Sequence, residues 1–151
     1  MILRLKHAHN EGLTEIVAAA WAERSLDKLR ALGIASVVPV PLHWWRRWQR
    51  GYNQSEALAR TLAKALGVPC QAHAVRRVRR TVSQANLSLT ARRENVRGAF
   101  EARHGVALKG QAVLLVDDVM TTGSTVHEVA RALRKGGAGR VIVAVLSRAE
   151  M

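Results

Sequence analysis

Val113-Leu114-Leu115-Val116-Asp117-Asp118-Val119-Met120-Thr121-Thr122-Gly123-Ser124-Thr125 is the stretch on which the fold of this chain turns. Its first four residues form an unbroken apolar run, the pattern of a strand covered on both faces. From Ser124 to Lys135 the apolar residues fall at helical spacing, with Val126, Val129, Ala130 and Leu133 on one stripe and Gly136-Gly137 as the stop. A second apolar run, Val141 to Leu146, follows. Strand, helix and strand at this spacing define a βαβ unit, and hence an α/β fold with a parallel sheet.

The turn of that unit carries the candidate chemistry. Open parallel sheets bind ligands outside the carboxyl ends of their strands. Thr121 to Thr125 opens the next helix, so backbone N–H groups and the positive end of the helix dipole face the crevice. Gly123 lets the backbone approach an anion closely, and the neighbouring hydroxyls add donors. Met120, Thr121, Thr122, Gly123, Ser124 and Thr125 therefore form a candidate phosphate cradle. Asp117 and Asp118 suit a different task, accepting hydrogen bonds from vicinal hydroxyls. Ribose 5-phosphate combines both needs in one small molecule. A helix cap beside solvated loop acids would explain neither the acid pair nor the run of hydroxyls. Neither a Walker A loop nor the dinucleotide Gly-x-Gly-x-x-Gly pattern follows this strand.

Working outward, Leu13 to Leu32 reads as a helix with Leu13, Ile16, Val17, Ala20 and Trp21 on its apolar face. Ser36 to Val40 is a β-branched run interrupted and closed by Pro39 and Pro41, as for a strand entering a loop. Gln54 to Leu66 reads as a helix with Leu58, Leu62, Ala65 and Leu66 as its stripe, ended by Gly67-Val68-Pro69. A short strand is expected at Ala72 to Val75, then a polar, Arg-rich loop from Arg76 to Leu89. Thr90 is the expected cap of a short helix reaching Arg97. No repeat or linker divides the chain, so one domain over 1–151 is expected.

A formal charge of +13 favours polyanionic partners, although an Arg bias also follows from genome composition. Trp44, Trp45 and Trp48 lie among Arg46 and Arg47, an interleaving that suits stacked bases and paired phosphates of a single strand. The competing reading packs one or more of these rings into the core or a dimer contact. The single cysteine, Cys70, allows no internal disulfide and no thiolate zinc cluster, and is expected to be a small buried residue. The six histidines show no metal-ligand spacing. Met1 to Lys6 lacks the apolar segment of a signal peptide and no run has membrane-spanning length, so a cytoplasmic protein is expected.

Val113 to Thr125 resembles the phosphoribosyl pyrophosphate (PRPP) motif of type I phosphoribosyltransferases. Leu3-Arg4-Leu5-Lys6, Val38-Pro39-Val40-Pro41-Leu42, Arg50-Gly51-Tyr52-Asn53-Gln54, Arg80-Thr81 with Gln84, and Arg92-Arg93-Glu94-Asn95 leading to Phe100 are similar to the ComF family of competence-associated proteins. The resemblance implies a type I phosphoribosyltransferase-like fold, with a central, mostly parallel sheet flanked by helices. It implies Mg²⁺-PRPP as ligand and pentosyl transfer to an unidentified acceptor as the reaction. The alternative is a single-stranded-DNA-binding accessory factor in transformation whose PRPP site is a sensor without catalysis. Asp117 and Asp118 would hold the ribose diol. Val40, Pro41, Leu42, Arg50 and Asn53, with Arg46 or Arg47, would bind the pyrophosphate. Arg79, Arg92 and Arg93 would touch the leaving group from a closing loop over residues 76–97. Transfer through an oxocarbenium-like state needs positioning and water exclusion, and no nucleophile. The resemblance also implies a link to DNA uptake, with single-stranded DNA, competence and DNA-processing proteins, and a second copy of the chain among its partners. ComF proteins usually begin with a cysteine-rich zinc segment. With one cysteine here, zinc is not expected.

Overall fold

The structure is a computed structural model that describes residues 11–41, 53–82 and 88–148. Three parallel strands, β1 (Ser36–Pro39), β4 (Ala112–Met120) and β5 (Arg140–Arg148), form a sheet in the order β1-β4-β5. Ser36 pairs with Val113 and Pro39 with Val116 on one side of β4, and Ala112 to Met120 pairs with Arg140 to Arg148 on the other. The central strand explains the unbroken apolar run. Val113 and Leu115 enter a core with Val38, Val126, Val129 and Leu133, while Leu114 and Val116 enter a second core with Val37, Leu58 and Leu62. All four side chains of Val113 to Val116 are fully buried. Truncating Leu115 to Ala would cost ~2–5 kcal/mol, because transfer and cavity terms add at a site with no room to collapse.

Helices α1 (Glu11–Ala31) and α2 (Gln54–Leu66) cover one face, and α4 (Ser124–Lys135) covers the other. Helix α2 stops in a Schellman motif: Gly67 adopts φ 70°, its N–H reaches Lys64 O, and the Val68 N–H reaches Ala63 O at 3.0 Å. Beside α4 lies a small unit. It consists of β2 (Val75–Arg77) paired antiparallel with β3 (Phe100–Ala102), and of α3 (Leu89–Val96) between them in sequence. The Arg77 guanidinium sits 4.7 Å above the Phe100 ring.

Several local expectations are corrected. The α1 face is carried by Ala22 and Leu29 with Trp21 and Leu32 beside them, while Ile16 is 67% exposed and Ala20 is exposed. Apolar residues occur all round this helix, so packing against α2 selects its face. The strand expected at Ala72–Val75 runs at Val75–Arg77, where the antiparallel partner is. Ser88, not Thr90, caps α3, its Oγ accepting the Ala91 N–H at 3.3 Å. Strand β4 continues past Val116 to Met120, so the acid pair lies within the paired strand and not in a loop. Strand β5 borders the described sheet and stays half-buried, with Val143 42% exposed. Cys70 is half-buried, and burial pushes its thiol pKa up.

Candidate phosphate and ribose site

The acid pair is built by β4 and held by α2. Ser55, in the first turn of α2 and 3% exposed, donates its hydroxyl to Asp117 Oδ1 at 3.0 Å and lies 3.4 Å from Asp118 Oδ1. The Asp118 N–H returns to Ser55 Oγ at 3.2 Å and to Asp117 Oδ1 at 3.0 Å. Among the described residues neither carboxylate has an ion-pair partner. Burial, first, and the adjoining Asp118 carboxylate, second, push the Asp117 pKa up to about 7, with the Ser55 hydroxyl and the Asp118 N–H pulling the other way. Two carboxylates with no described cation beside them favour ligands bringing hydrogen-bond donors or positive charge.

Directly after the pair the chain turns through Thr121, Thr122 and Gly123 into α4. Gly123 sits at φ 72°, ψ 1°, and an added Cβ would meet Met120 Sδ at 3.4 Å. Being glycine, it brings no side chain to cap the helix start. Thr122 Oγ1 instead accepts the Ser124 N–H at 3.3 Å and shares a 2.8 Å hydrogen bond with Ser124 Oγ. The two hydroxyls are thus gathered at the positive end of α4, the arrangement in which helix starts take up anions. Met120, Thr122, Gly123 and Thr125 are half-buried, Ser124 is buried and Thr121 is exposed.

At the carboxyl end of β1, Val40 docks its N–H on Val116 O at 2.8 Å. Asn53, just before α2, donates its side-chain amide to Val40 O at 3.3 Å, which ties this loop to the helix that carries Ser55. Asn53 Oδ1 is buried and has no donor among the described residues. Pro41 is half-buried beside them. Leu42, Trp44, Trp45, Arg46, Arg47, Trp48 and Arg50 lie outside the described residues.

Arg79 is engaged at the end of α3. Its Nη2 donates to the carbonyls of Glu94, Asn95 and Arg97 at 3.2, 2.9 and 2.9 Å, neutralising the C-terminal end of α3. Asn95 clamps Val82 from both sides of its backbone, at 3.0 and 2.9 Å. Arg79 and Asn95 therefore fasten the segment after β2 to α3. Arg92 is half-buried on α3 and Arg93 is exposed. Arg93 and Arg97 face the phosphate turn across a cavity that also touches Thr122, Gly123, Ser124 and His127.

Ser55 and Arg97 were not among the residues singled out from sequence. Ser55 had a signal: the stripe Leu58–Leu62, extended back by three residues, lands on it. A serine on the buried face of a helix needs a hydrogen-bond partner, and the acid pair supplies it.

The sequence matches the phosphoribosyl transferase domain family over residues 53–150. The chain belongs to that family, and its fold is that of a type I phosphoribosyltransferase. Its relatives put it in the ComF branch. Competence protein F of Haemophilus influenzae is 37% identical over 142 residues, covering 85% of this chain and 62% of that protein. DNA utilization protein YhgH of Escherichia coli (strain K12) is 42% identical, covering 98% of this chain and 66% of that protein. The chain thus spans a little under two thirds of these relatives' length. Among solved structures, glutamine PRPP amidotransferase from B. subtilis shares the fold with a TM-score of 0.59 at 24% identity, over 91% of this chain and 26% of that one. A purine phosphoribosyltransferase from Pyrococcus horikoshii does so at 0.53 and 20%, over 89% and 80%. Among the described residues no helix is long and apolar enough to cross a membrane.

Proposed function

We propose that this chain binds Mg²⁺-PRPP at the carboxyl end of β4 and serves DNA uptake in natural competence, in the cytoplasm, as a phosphoribosyltransferase-type protein. One observation carries the reading: an acid pair braced by Ser55 stands directly before a helix start whose N-cap, Gly123, brings no side chain. Asp117 and Asp118 accept the ribose hydroxyls, and the Thr121–Thr125 turn receives the 5-phosphate. The diphosphate lies toward Val40 and Pro41, with Asn53 holding that loop in place.

Mg²⁺ suits this end of the site. The orphaned Asn53 Oδ1 and the acid pair without a described cation are hard oxygen acceptors, the kind this ion takes directly or through its water shell. The oxygens available to it are those of Asn53, Asp117 and Asp118, beside those of the ligand. When bound, it supplies the charge that stabilises pyrophosphate as a leaving group. The chain's own residues position the ribose, and the unit carrying Arg79 and Arg92 shields it from water.

The relatives' names, competence protein F and DNA utilization protein, support the link to DNA uptake. A charge of +13 supports single-stranded DNA as a further partner, with Trp44, Trp45, Arg46, Arg47 and Trp48 as its candidate contacts. Calorimetric titration of Mg²⁺-PRPP into the wild type and into Asp117→Asn/Asp118→Asn tests the main reading. Saturable binding lost in the double variant supports it. A folded wild type that does not bind overturns it.

A further inference from the structure

The phosphate turn forms one wall of a cavity of about 490 Å³. Pockets of ~300–1,000 Å³ enclose whole small ligands, so a single phosphate on Thr122, Gly123 and Ser124 would leave most of this space unfilled. The opposite wall is α3, which contributes Arg93 and Arg97, and His127 of α4 lines the cavity as well. Four arginines elsewhere are engaged: Arg79 on carbonyls, Arg60 with Glu56, Arg76 with Glu101, Arg131 with Glu128. Neither Arg93 nor Arg97 has an ion-pair partner among the described residues. Two acids also line the space. The Glu128 carboxylate is taken by the Gly98 N–H at 2.7 Å and by Arg131 at 2.8 Å. Glu94 is left against two guanidinium groups, so the wall is cationic on balance.

This cavity lies on the α3 side of the phosphate turn, and Asp117, Asp118 and Asn53 do not line it. A ligand whose diol meets the acid pair and whose 5-phosphate meets the turn therefore has room to continue beyond that phosphate. PRPP ends there and leaves the arginine wall vacant.

We propose that the cavity receives a second phosphate-bearing group joined to the 5-phosphate, so that the site takes a ribose with a free diol whose 5-phosphate is itself esterified or in an anhydride. The inference rests on the ribose-phosphate reading of the acid pair and turn. Two sources share this chemistry: the 3′-terminal nucleotide of an RNA strand, with its diol and 5′-phosphodiester, and a small diphosphate such as ADP-ribose.

The test compares ribose 5-phosphate, ADP-ribose, a short oligoribonucleotide with a 3′ diol, and the same strand with a 3′-phosphate. Each is titrated into the full chain and into Arg93→Ala/Arg97→Ala. Both arginines are exposed, and retained ribose 5-phosphate binding reports that the variant is folded. With two charge-assisted contacts in play, ADP-ribose or the diol-ended strand should bind at least about tenfold tighter than ribose 5-phosphate. The double variant should lose that margin and keep the ribose 5-phosphate affinity. Preference for the diol-ended strand over its 3′-phosphorylated form assigns the nucleic-acid source. Tight ADP-ribose with no diol preference among strands assigns the small one. Equal affinity for all probes, or a margin that survives the double variant, overturns the inference and leaves the ribose-phosphate reading intact. Absence of ribose 5-phosphate binding to the wild type removes both.

Discussion

The two ends of the site are built in opposite ways. At one end Asp117 and Asp118 sit within a paired strand, half-buried, with Ser55 of a second element hydrogen-bonded between them. At the other, Arg93 and Arg97 project from a short helix, exposed and without described ion-pair partners. The acid end is held from two directions: β5 through the sheet, and α2 through Ser55. The basic end is seated on the body through Val96, Ala99 and Phe100, buried in the core with Val126, Val129 and Leu133, and through the Gly98–Glu128 hydrogen bond, with Arg79 and Asn95 tying its own parts together. On the proposed reading, recognition of hydroxyls is thus preorganised, where a small misplacement would cost most. Recognition of charge, which tolerates distance better than hydrogen bonding does, would fall to exposed side chains.

The largest expected effect falls on the rigid end. Replacing Asp117 and Asp118 with Asn removes two charged acceptors at ~1.5–3 kcal/mol each, a loss of at least about 100-fold in Mg²⁺-PRPP affinity by calorimetry. A loss below about threefold would abolish the distinction between the two ends. Next comes the turn joining them. Gly123→Ala forces a side chain into the left-handed region against Met120. The strain is worth ~1–2 kcal/mol, seen as a melting temperature lower by about 2–8 °C and as weaker binding of inorganic phosphate.

Ser55→Ala sharpens the comparison through pH. Without its donor, the Asp117 pKa rises further, so the acid limb of ligand binding moves to higher pH, and Ser55→Thr restores it. A binding profile unmoved by Ser55→Ala would show that the serine only fills space. Finally, Asp117 makes the ligand-free fold pH-dependent. Its pKa is raised from 3.8 to about 7, so between these values the folded chain holds a proton that the unfolded chain has released. Stability from this group therefore falls as pH rises through that window. Melting at pH 5 and pH 8 should show a steeper decline in the wild type than in Asp117→Asn. Equal slopes would mean that the acid pair is open to solvent.

Legibility followed the strength of the local pattern. Helix α4 runs Ser124–Lys135 as its spacing predicts, because its stripe is one-sided and glycines bound it. Helix α2 follows the same rule, and continuing its stripe backward leads to Ser55. In α1 apolar residues recur on every side, and the predicted face was only partly used. The short strand near residue 75 was displaced because three residues hold too little pattern to mark a boundary, and the antiparallel partner that defines it lies 25 residues away in pairing Arg76 to Glu101.

From the sequence alone came the parallel βαβ unit, the acid pair, the turn proposed to hold an anion and the family they resemble, since each is written in contiguous residues under local rules of burial, backbone conformation and helix polarity. Tertiary structure alone decided that Ser55 braces the acids, that Arg79 serves the end of α3, and that Arg93 and Arg97 face the phosphate turn. These are meetings between residues distant in the chain, and their partners are chosen by how α2 and α3 pack against the ends of β4 and α4.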